Sequence, residues 1–382
     1  MSRLPLFGLS AVFHAYVGWR LVPALAGWSW ASALLATMLL CSAVLIPMGL
    51  LARRLQARKL GEALAWAGLL FMGLFSSLFV LALLRDVVLL LAAVLELAWP
   101  NWLARQGLEM GSAALVPVAA ALITLFGFMN ARRTAAVVPV DVPIKNLPDA
   151  LDGFTIAQIS DIHVGPTIKG PYLDHIVEAV NRLDADMVAV TGDLVDGSVA
   201  ELAQHVAPLA RLSSRYGTFF VTGNHEYYSG AQDWIEELRR LHVQVLINEH
   251  VVLRHGAATL VVAGVADASA HHFDPAHRSD PYAAIAGAPR RGSVKLLLAH
   301  QPLSAAAAAA AGFDLQLSGH THGGQFWPWN HLVPLQQPFT AGLHRLDDLW
   351  VYTSRGTGYW GPPKRFGAPS EITHLRLVRQ RQ

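Results

Sequence analysis

The sequence predicts two folds in series: an α-helical transmembrane bundle, then a layered α/β (α+β) domain. Three observations carry that prediction. Residues 1–130 are dominated by Leu, Ala, Val, Gly and Trp, whereas residues 146–382 have ordinary globular composition. That later region alternates short apolar runs with amphipathic stretches, as strands layered with helices do. Five of its apolar runs stop abruptly at polar residues. They are FTIAQIS before Asp161-Ile162-His163, MVAVT before Gly192-Asp193, TFFVT before Gly223-Asn224-His225-Glu226, VKLLLA before His300, and DLQLS before Gly319-His320-Thr321-His322. Loops at the ends of buried strands are held by a rigid sheet, and ligand and catalytic sites concentrate there.

In the expected bundle, residues 1–133, four segments qualify as membrane spans, which need ~20 mainly apolar residues: about 4–22, 30–51, 63–84 and 112–130. The apolar run 87–99 is short. It reads as an interfacial or re-entrant helix, or as a continuation of the third span past Arg85-Asp86. Basic residues favour the cytoplasmic side. Arg53, Arg54, Arg58 and Lys59, and later Arg132 and Arg133, outweigh Arg20, Arg85 and Arg105 on the opposite side. A multi-pass protein of the cell (inner) membrane is expected, with its second domain in the cytoplasm. Ala24-Leu25-Ala26 resembles a signal-peptidase site, but His14 and Arg20 interrupt the preceding apolar run, so a retained helix is expected. His14, Arg20, Arg85, Asp86, Glu96 and Glu109 read as interface markers or local pairs, such as Arg85 with Asp86, ahead of a functional reading.

Residues 134–150, with Pro139, Pro143 and Pro148, read as a linker and entry strand to the domain at 151–382. Amphipathic helices are expected at Gly170–Leu183, Ala200–Leu212 and Ala231–Leu241. Ala305–Ala311 has strong helix propensity. Thr259–Val265, Leu349–Thr353 and Ile372–Leu377 would add strands. A net charge of +2 without a basic stripe gives no support for nucleic-acid binding, and none is expected. Cys41 is the only cysteine, which excludes an intrachain disulfide and thiolate metal sites. His14 is the only one of 17 histidines before residue 130, so metal chemistry belongs to the second domain.

The strand-end residues suit metal ligation. In extended backbone Asp161 and His163 share a face, and His320 and His322 repeat the spacing. Gly192 permits a tight turn before Asp193, whose two oxygens can bridge two cations. Asn224 offers an amide oxygen and His300 an imidazole. Carboxylate, amide and imidazole together suit two divalent transition ions, Mn, Fe or Zn, better than Mg alone. Each fragment alone has an ordinary reading as a turn or surface group. The ordered set on five strand ends makes a two-metal hydrolase the leading hypothesis.

That ordered set resembles the calcineurin-like metallophosphoesterase superfamily: Asp-x-His, Gly-Asp, Gly-Asn-His-[Asp/Glu], a later His, and Gly-His-x-His, here across residues 154–326. Gly319–Gln325, Ser354-Arg355-Gly356 and Pro369-Ser370-Glu371-Ile372 resemble a bacterial membrane-associated branch, some of whose members carry N-terminal spans. The resemblance implies two stacked mixed β-sheets flanked by helices. It implies one metal on Asp161, His163, Asp193 and His322, and a second on Asp193, Asn224, His300 and His320, with Asp193 bridging. It also implies His225 as catalytic acid or stabiliser of the attacked phosphate. The expected activity is hydrolysis of phosphomono- or phosphodiesters.

One departure narrows the substrate. Protein phosphatases of the superfamily follow Gly-Asp with Asp-Arg-Gly, whose Arg grips phosphate. Here Gly192-Asp193-Leu194-Val195-Asp196-Gly197 lacks that Arg. A small-molecule or lipid phosphoester is therefore expected, or a lipid-linked nucleotide at the bilayer. Arg355 is either a replacement phosphate contact or a structural salt bridge. Cyclic-nucleotide or generic phosphodiester hydrolysis is the alternative enzyme reading. A metal-stabilised membrane sensory or binding module is the alternative of another class, ranked low because Asp193 and His225 are both present. Glu226 reads as orienting the site or capping a helix, Asp267 as a weaker cleft candidate, and His271 and His272 as exposed loop residues. Trp327, Trp329, Tyr359 and Trp360 read either as an apolar rim or as core aromatics.

Overall fold

The computed structural model describes residues 4–52, 57–100, 105–289 and 292–380. The chain divides into two compact units: Met1–Met129 with Gly361–Phe366, and Asn130–Trp360 with Gly367–Gln382.

The first unit contains four long helices, α1 (Leu4–Leu21), α2 (Ser29–Leu51), α3 (Arg58–Ala98) and α4 (Arg105–Arg132). Among the described residues, three are long and apolar enough to cross a membrane: α2, α3 and α4. The expected fourth span, α1, is interrupted by His14 and Arg20 and does not join that group. Residues 87–99 continue the third helix, and α3 reaches 41 residues. At 1.5 Å per residue that is about 60 Å, roughly twice a bilayer's hydrocarbon thickness. Arg53 and Arg54 lie outside the described residues.

The intramembrane charges make partners between helices more than between neighbours. Asp86 on α3 accepts from Arg20 Nε (2.8–2.9 Å) and from Tyr16 Oη (2.7 Å), both on α1. The adjacent Arg85–Asp86 pair is looser, at 3.8 Å. Arg85 instead donates to Arg20 O (3.2 Å) on α1, and to Glu109 O and Ser112 Oγ (both 3.0 Å) on α4. Gly49 and Gly68 let α2 and α3 touch: a Cβ on Gly68 would lie 2.7 Å from Gly49 Cα. Small residues at such crossings are how helices pack in lipid. Within the same unit, Lys364 Nζ donates to Gly73 O (2.8 Å) and Ser77 Oγ (2.5 Å).

The second unit holds two six-stranded mixed sheets. The first runs β1-β12-β2-β3-β4-β5, with β1 Ala136–Ile144, β2 Thr155–Ile159, β3 Met187–Val190, β4 Thr218–Phe220, β5 Gln244–Val245 and β12 Glu371–Arg379. The second runs β10-β11-β9-β8-β7-β6, with β6 Glu249–His255, β7 Ala258–Gly264, β8 Ser293–Leu298, β9 Leu315–Ser318, β10 Gly342–Leu346 and β11 Leu349–Thr353. The stretch read as a linker and entry strand contains β1, an edge strand paired in parallel with β12. An edge position tolerates Pro139 and Pro143, which cannot donate to a ladder.

Strand alternation builds the layers. Ile156, Met187, Ala189 and Phe219 face the second sheet and pack with Leu260, Leu296, Leu298, Leu315 and Leu317. Their neighbours Ala157, Val188, Val190 and Phe220 face outward, under α5 (Gly170–Asn181), α6 (Val199–Val206) and α8 (Ala231–Arg240). On the far side Ala263, Leu297, Ala299 and Val351 meet the short α9 (Pro281–Ala284) and α10 (Ala305–Ala311). The parallel pairs β2-β3-β4 and β7-β8-β9 bring the C-terminal ends of six strands to one edge of the stack.

Candidate metal centre

All five strand-end motifs meet at that edge. Asp161 and His163 follow β2, Asp193 follows β3, Asn224 and His225 open the one-turn α7 (Asn224–Tyr228) after β4, His300 follows β8, and His320 and His322 follow β9. Three groups of ligand atoms converge: Asp161 with His163 and His322, His163 with Asp193 and His225, and Asp193 with His300 and His320.

Extended backbone is not what aims them. Asp161, His163, Asp193, His320 and His322 all have positive φ, between 51° and 69°. Left-handed backbone is costly for non-glycine residues and clusters at functional sites. The cost is met by a dense mesh of loop bonds. Asp161 N donates to Gly192 O (3.0 Å), His163 N to Asp193 O (3.1 Å) and Gly319 N to His300 O (2.9 Å). Gly319 is required by space: a Cβ there would fall 2.2 Å from Asp161 Oδ2.

Asp193 sits at the middle. Its Oδ1 accepts from His225 N (2.9 Å), and its Oδ2 lies 3.1 Å from His300 Nε2 and 3.9 Å from His163 Nε2. His163 Nε2 is 3.0 Å from His322 Nε2, and His322 Nε2 is 3.5 Å from Asp161 Oδ1. His300 Nε2 is 3.2 Å from His320 Nδ1. Donor atoms sharing a cation at about 2.1 Å sit roughly 3 Å apart, so these spacings suit cation ligation. The outer partners fix which nitrogen faces inward. His300 Nδ1 donates to Thr191 O (2.7 Å) and His163 Nδ1 to Asp196 Oδ1 (3.2 Å), which leaves each Nε2 as the free lone pair. Asn224 Oδ1 is a buried acceptor with no hydrogen-bond partner. An orphaned buried oxygen is costly, and a cation would satisfy it.

The electrostatics agree. Burial works against ionisation of Asp193, yet His300, His225 and His163 hold its carboxyl well below the usual range. Burial also works against charge on His300, but Asp193 and Asp161 push it well above its ordinary value. That field attracts a cation as it attracts a proton. His320 is lowered, by burial and then by His300.

Two contributors, Asp196 and Tyr228, were not singled out from the sequence, whereas Glu226 was, as orienting the site or capping a helix. Asp196, almost wholly buried, bridges two imidazoles: beside His163 it accepts from His225 Nδ1 at 2.5 Å. Its position three residues after Asp193 was the available signal. Glu226 is buried, and its carboxyl accepts from four backbone amides: Gly223 (2.6 Å), Leu194 (2.8 Å), Asp193 (3.0 Å) and Val195 (3.3 Å). It orients the site and closes α7's first turn at once. Burial first, then Asp193, raises it to about 7, against the bond from Gly223. Tyr228 packs edge-on against His225, and no local pattern marked it.

Arg355 Nη1 donates to Glu371 Oε2 (2.7 Å), the salt-bridge alternative. Its stem lies against Gly323, beside His322. Asp267 is buried and accepts from Gln301 Nε2 (2.9 and 3.1 Å) and Ser269 Oγ (2.6 Å). Tyr359 is core, whereas Trp327, Trp329 and Trp360 are exposed.

The comparisons agree with the geometry. The family model for calcineurin-like phosphoesterases matches residues 154–324. A Bos taurus protein named "Transmembrane protein with metallophosphoesterase domain" is 40% identical over 304 residues, covering 74% of this chain and 67% of that protein. The chain belongs to the calcineurin-like metallophosphoesterases. A Danio rerio protein of the same name is 37% identical, covering 69% of this chain and 62% of its own length. An Aquifex aeolicus metallophosphoesterase is 32% identical, covering 62% of this chain and 89% of its own. The chain thus spans about two thirds of the two vertebrate relatives. Their names and the three apolar helices make this metallophosphoesterase a membrane protein.

Proposed function

We propose that the chain is a membrane-anchored, dinuclear metal-dependent phosphohydrolase of phosphomono- or phosphodiesters. The observation that carries this reading is Asp193 Oδ2 set between the inward Nε2 atoms of His163 and His300, beside the orphaned Asn224 Oδ1. Asp161, His163, Asp193 and His322 would hold one ion, and Asp193, Asn224, His300 and His320 the other. Two bound cations of the Mn, Fe or Zn type supply Lewis-acid charge that activates water and clamps phosphate oxygens.

The chain's own groups do the rest. Asp196 accepts a hydrogen bond from His225 Nδ1, so Nε2 is the atom that carries or delivers a proton. Burial opposes charge on His225, but Asp196 and Asp193 raise its pKa overall, which keeps the acid form available for an alkoxide leaving group. Glu226 holds the loops of Asp193 and His225 in register.

The absent Asp-Arg-Gly and the membrane helices support a lipid or lipid-linked phosphoester over a phosphoprotein. Arg132 and Arg133 at the end of α4 support a cytoplasmic domain on an inner-membrane, multi-pass anchor. A C-terminal reporter fusion tests sidedness. The central test is a panel of phosphomonoesters, phosphodiesters and lipids with metal-reconstituted full-length protein, beside Asp193→Ala. Wild type should bind close to two transition ions by elemental analysis and cleave P–O bonds. Asp193→Ala should lose at least one ion and turnover. A metal-loaded wild type inert on the whole panel, or a fully loaded and active Asp193→Ala, would overturn the reading.

A further inference from the structure

Around His225 the surface is aromatic. Tyr228 meets the His225 ring edge to face, with centroids 5.3 Å apart and planes at 67°. Trp360 meets it at 5.9 Å and 76°. Phe273 extends the patch, 5.5 Å from Tyr228 at 61°. Large rings in soluble domains usually bury themselves, yet Tyr228, Phe273 and Trp360 are 62%, 52% and 54% exposed.

Two of the three are indexed to the metal loops. Tyr228 ends α7, the helix that Asn224 begins. Trp360 is clamped by Gln325 at both backbone groups: its N–H donates to Gln325 Oε1 (2.9 Å), and Gln325 Nε2 donates to its carbonyl (2.8 Å). Gln325 is buried and follows directly on the His320–Gly324 loop. Two of the rings therefore sit on backbone tied to the metal loops, beside the proposed proton donor.

We propose that Tyr228, Phe273 and Trp360 seat the leaving group of the substrate, and that this group is the alkoxide of an aliphatic lipid. The proposal rests on the phosphohydrolase reading and deepens it. The ring planes are inclined by 61–76° to their neighbours, so these contacts offer no parallel pair to sandwich a planar base. Inclined rings present faces and edges that a flexible chain can follow. None of the three carries a charge, and the apolar helices of the same chain keep the domain at a bilayer. In the reaction, water adds its oxygen to phosphorus and the P–O bond to the lipid breaks with its electron pair on the alkoxide. His225 supplies the proton that completes the alcohol, and a proton from the attacking water replaces it.

The test is chain length. Full-length protein loaded with Mn²⁺ in detergent is given dibutyryl and dioctanoyl phosphatidic acid, the matching phosphatidylglycerols, and a nucleoside 5′-monophosphate. The kcat/KM ratio of dioctanoyl to dibutyryl ester should be at least ~10, in the range that methylene discrimination reaches. Trp360→Ala, and the Tyr228→Ala/Phe273→Ala pair, should bring that ratio below ~3, mainly through KM on the long ester. Trp360→Phe should restore most of it. A wild-type ratio near one, or a preference for the nucleotide, would overturn the lipid seat while the phosphohydrolase reading stands. A high ratio that survives in the variants would overturn the assignment to these three residues. No P–O cleavage of any substrate would overturn both readings.

Discussion

His225 is set apart from His163 and His300 by its solvent exposure, since all three have Nδ1 in a hydrogen bond. Asp196 occupies Nδ1 at 2.5 Å, while the side chain keeps some exposure, 16%. The neighbouring His163 and His300 are closed off, at 1% and 0%. Buried imidazoles with free inward lone pairs suit ligation, and a partly exposed, carboxylate-paired one suits proton transfer. His225→Ala should therefore keep both ions by elemental analysis and lose ~10²–10⁴-fold in kcat on alkyl phosphoesters. The loss should be far smaller on a p-nitrophenyl ester, whose leaving group needs no proton. An equal loss on both esters would mean that the residue acts on the attacked phosphate instead.

Between loops, the decisive group is Glu226. One carboxyl gathers amides from the β3 loop (Asp193, Leu194, Val195) and from the turn before α7 (Gly223). Removing the carboxyl would orphan these buried donors, at a cost of about 1–3 kcal/mol each. Glu226→Ala should lower the thermal midpoint of the domain and its metal content together, with Glu226→Gln in between. Unchanged metal content in a folded Glu226→Ala would remove its positioning role. The strands and their polar endings were legible because a continuous apolar run and the turn that stops it are both local. So were α5, α8 and α10, from periodicity or Ala content. The mesh was not. Asp196 reaches His225, 29 residues away, and the rim joins Tyr228, Phe273 and Trp360 through tertiary packing alone. The entry strand's partner was not legible either, because β12 lies at the far end of the chain. β12 also carries a pH-sensitive group. His374 is lowered, by burial first and then by Arg376, and its Nε2 is buried without a partner. With the folded pKa below the unfolded value of about 6.5, its stabilising contribution is complete above that pH and is lost as pH falls through it. The urea midpoint of wild type should fall more between pH 7.5 and 5.5 than that of His374→Leu. Equal slopes would discount His374.

For the chain as a whole, the same side chains that would do chemistry also set a stability problem. The second unit closes its two sheets around an edge where Asp161 and Asp193 are buried with His163, His300 and His322, and where Asn224 Oδ1 is unsatisfied. Cations bound to the folded state but not to the unfolded chain stabilise by mass action, about 2.7 kcal/mol at a hundred times Kd. For a domain of this size each kcal/mol moves the midpoint by about 2–4 °C. Stripping full-length protein in nanodiscs with a chelator should therefore lower the calorimetric midpoint of the catalytic unit by about 5–10 °C. Mn²⁺ or Zn²⁺ should restore it and Mg²⁺ should restore less, because imidazole donors favour the transition ions. The helical transition should not move, since the converging donor groups all lie in the second unit. Asp193→Ala should respond weakly to chelator and metal alike. A wild-type midpoint indifferent to both would show that the converging donors form a structural polar network and hold no ion.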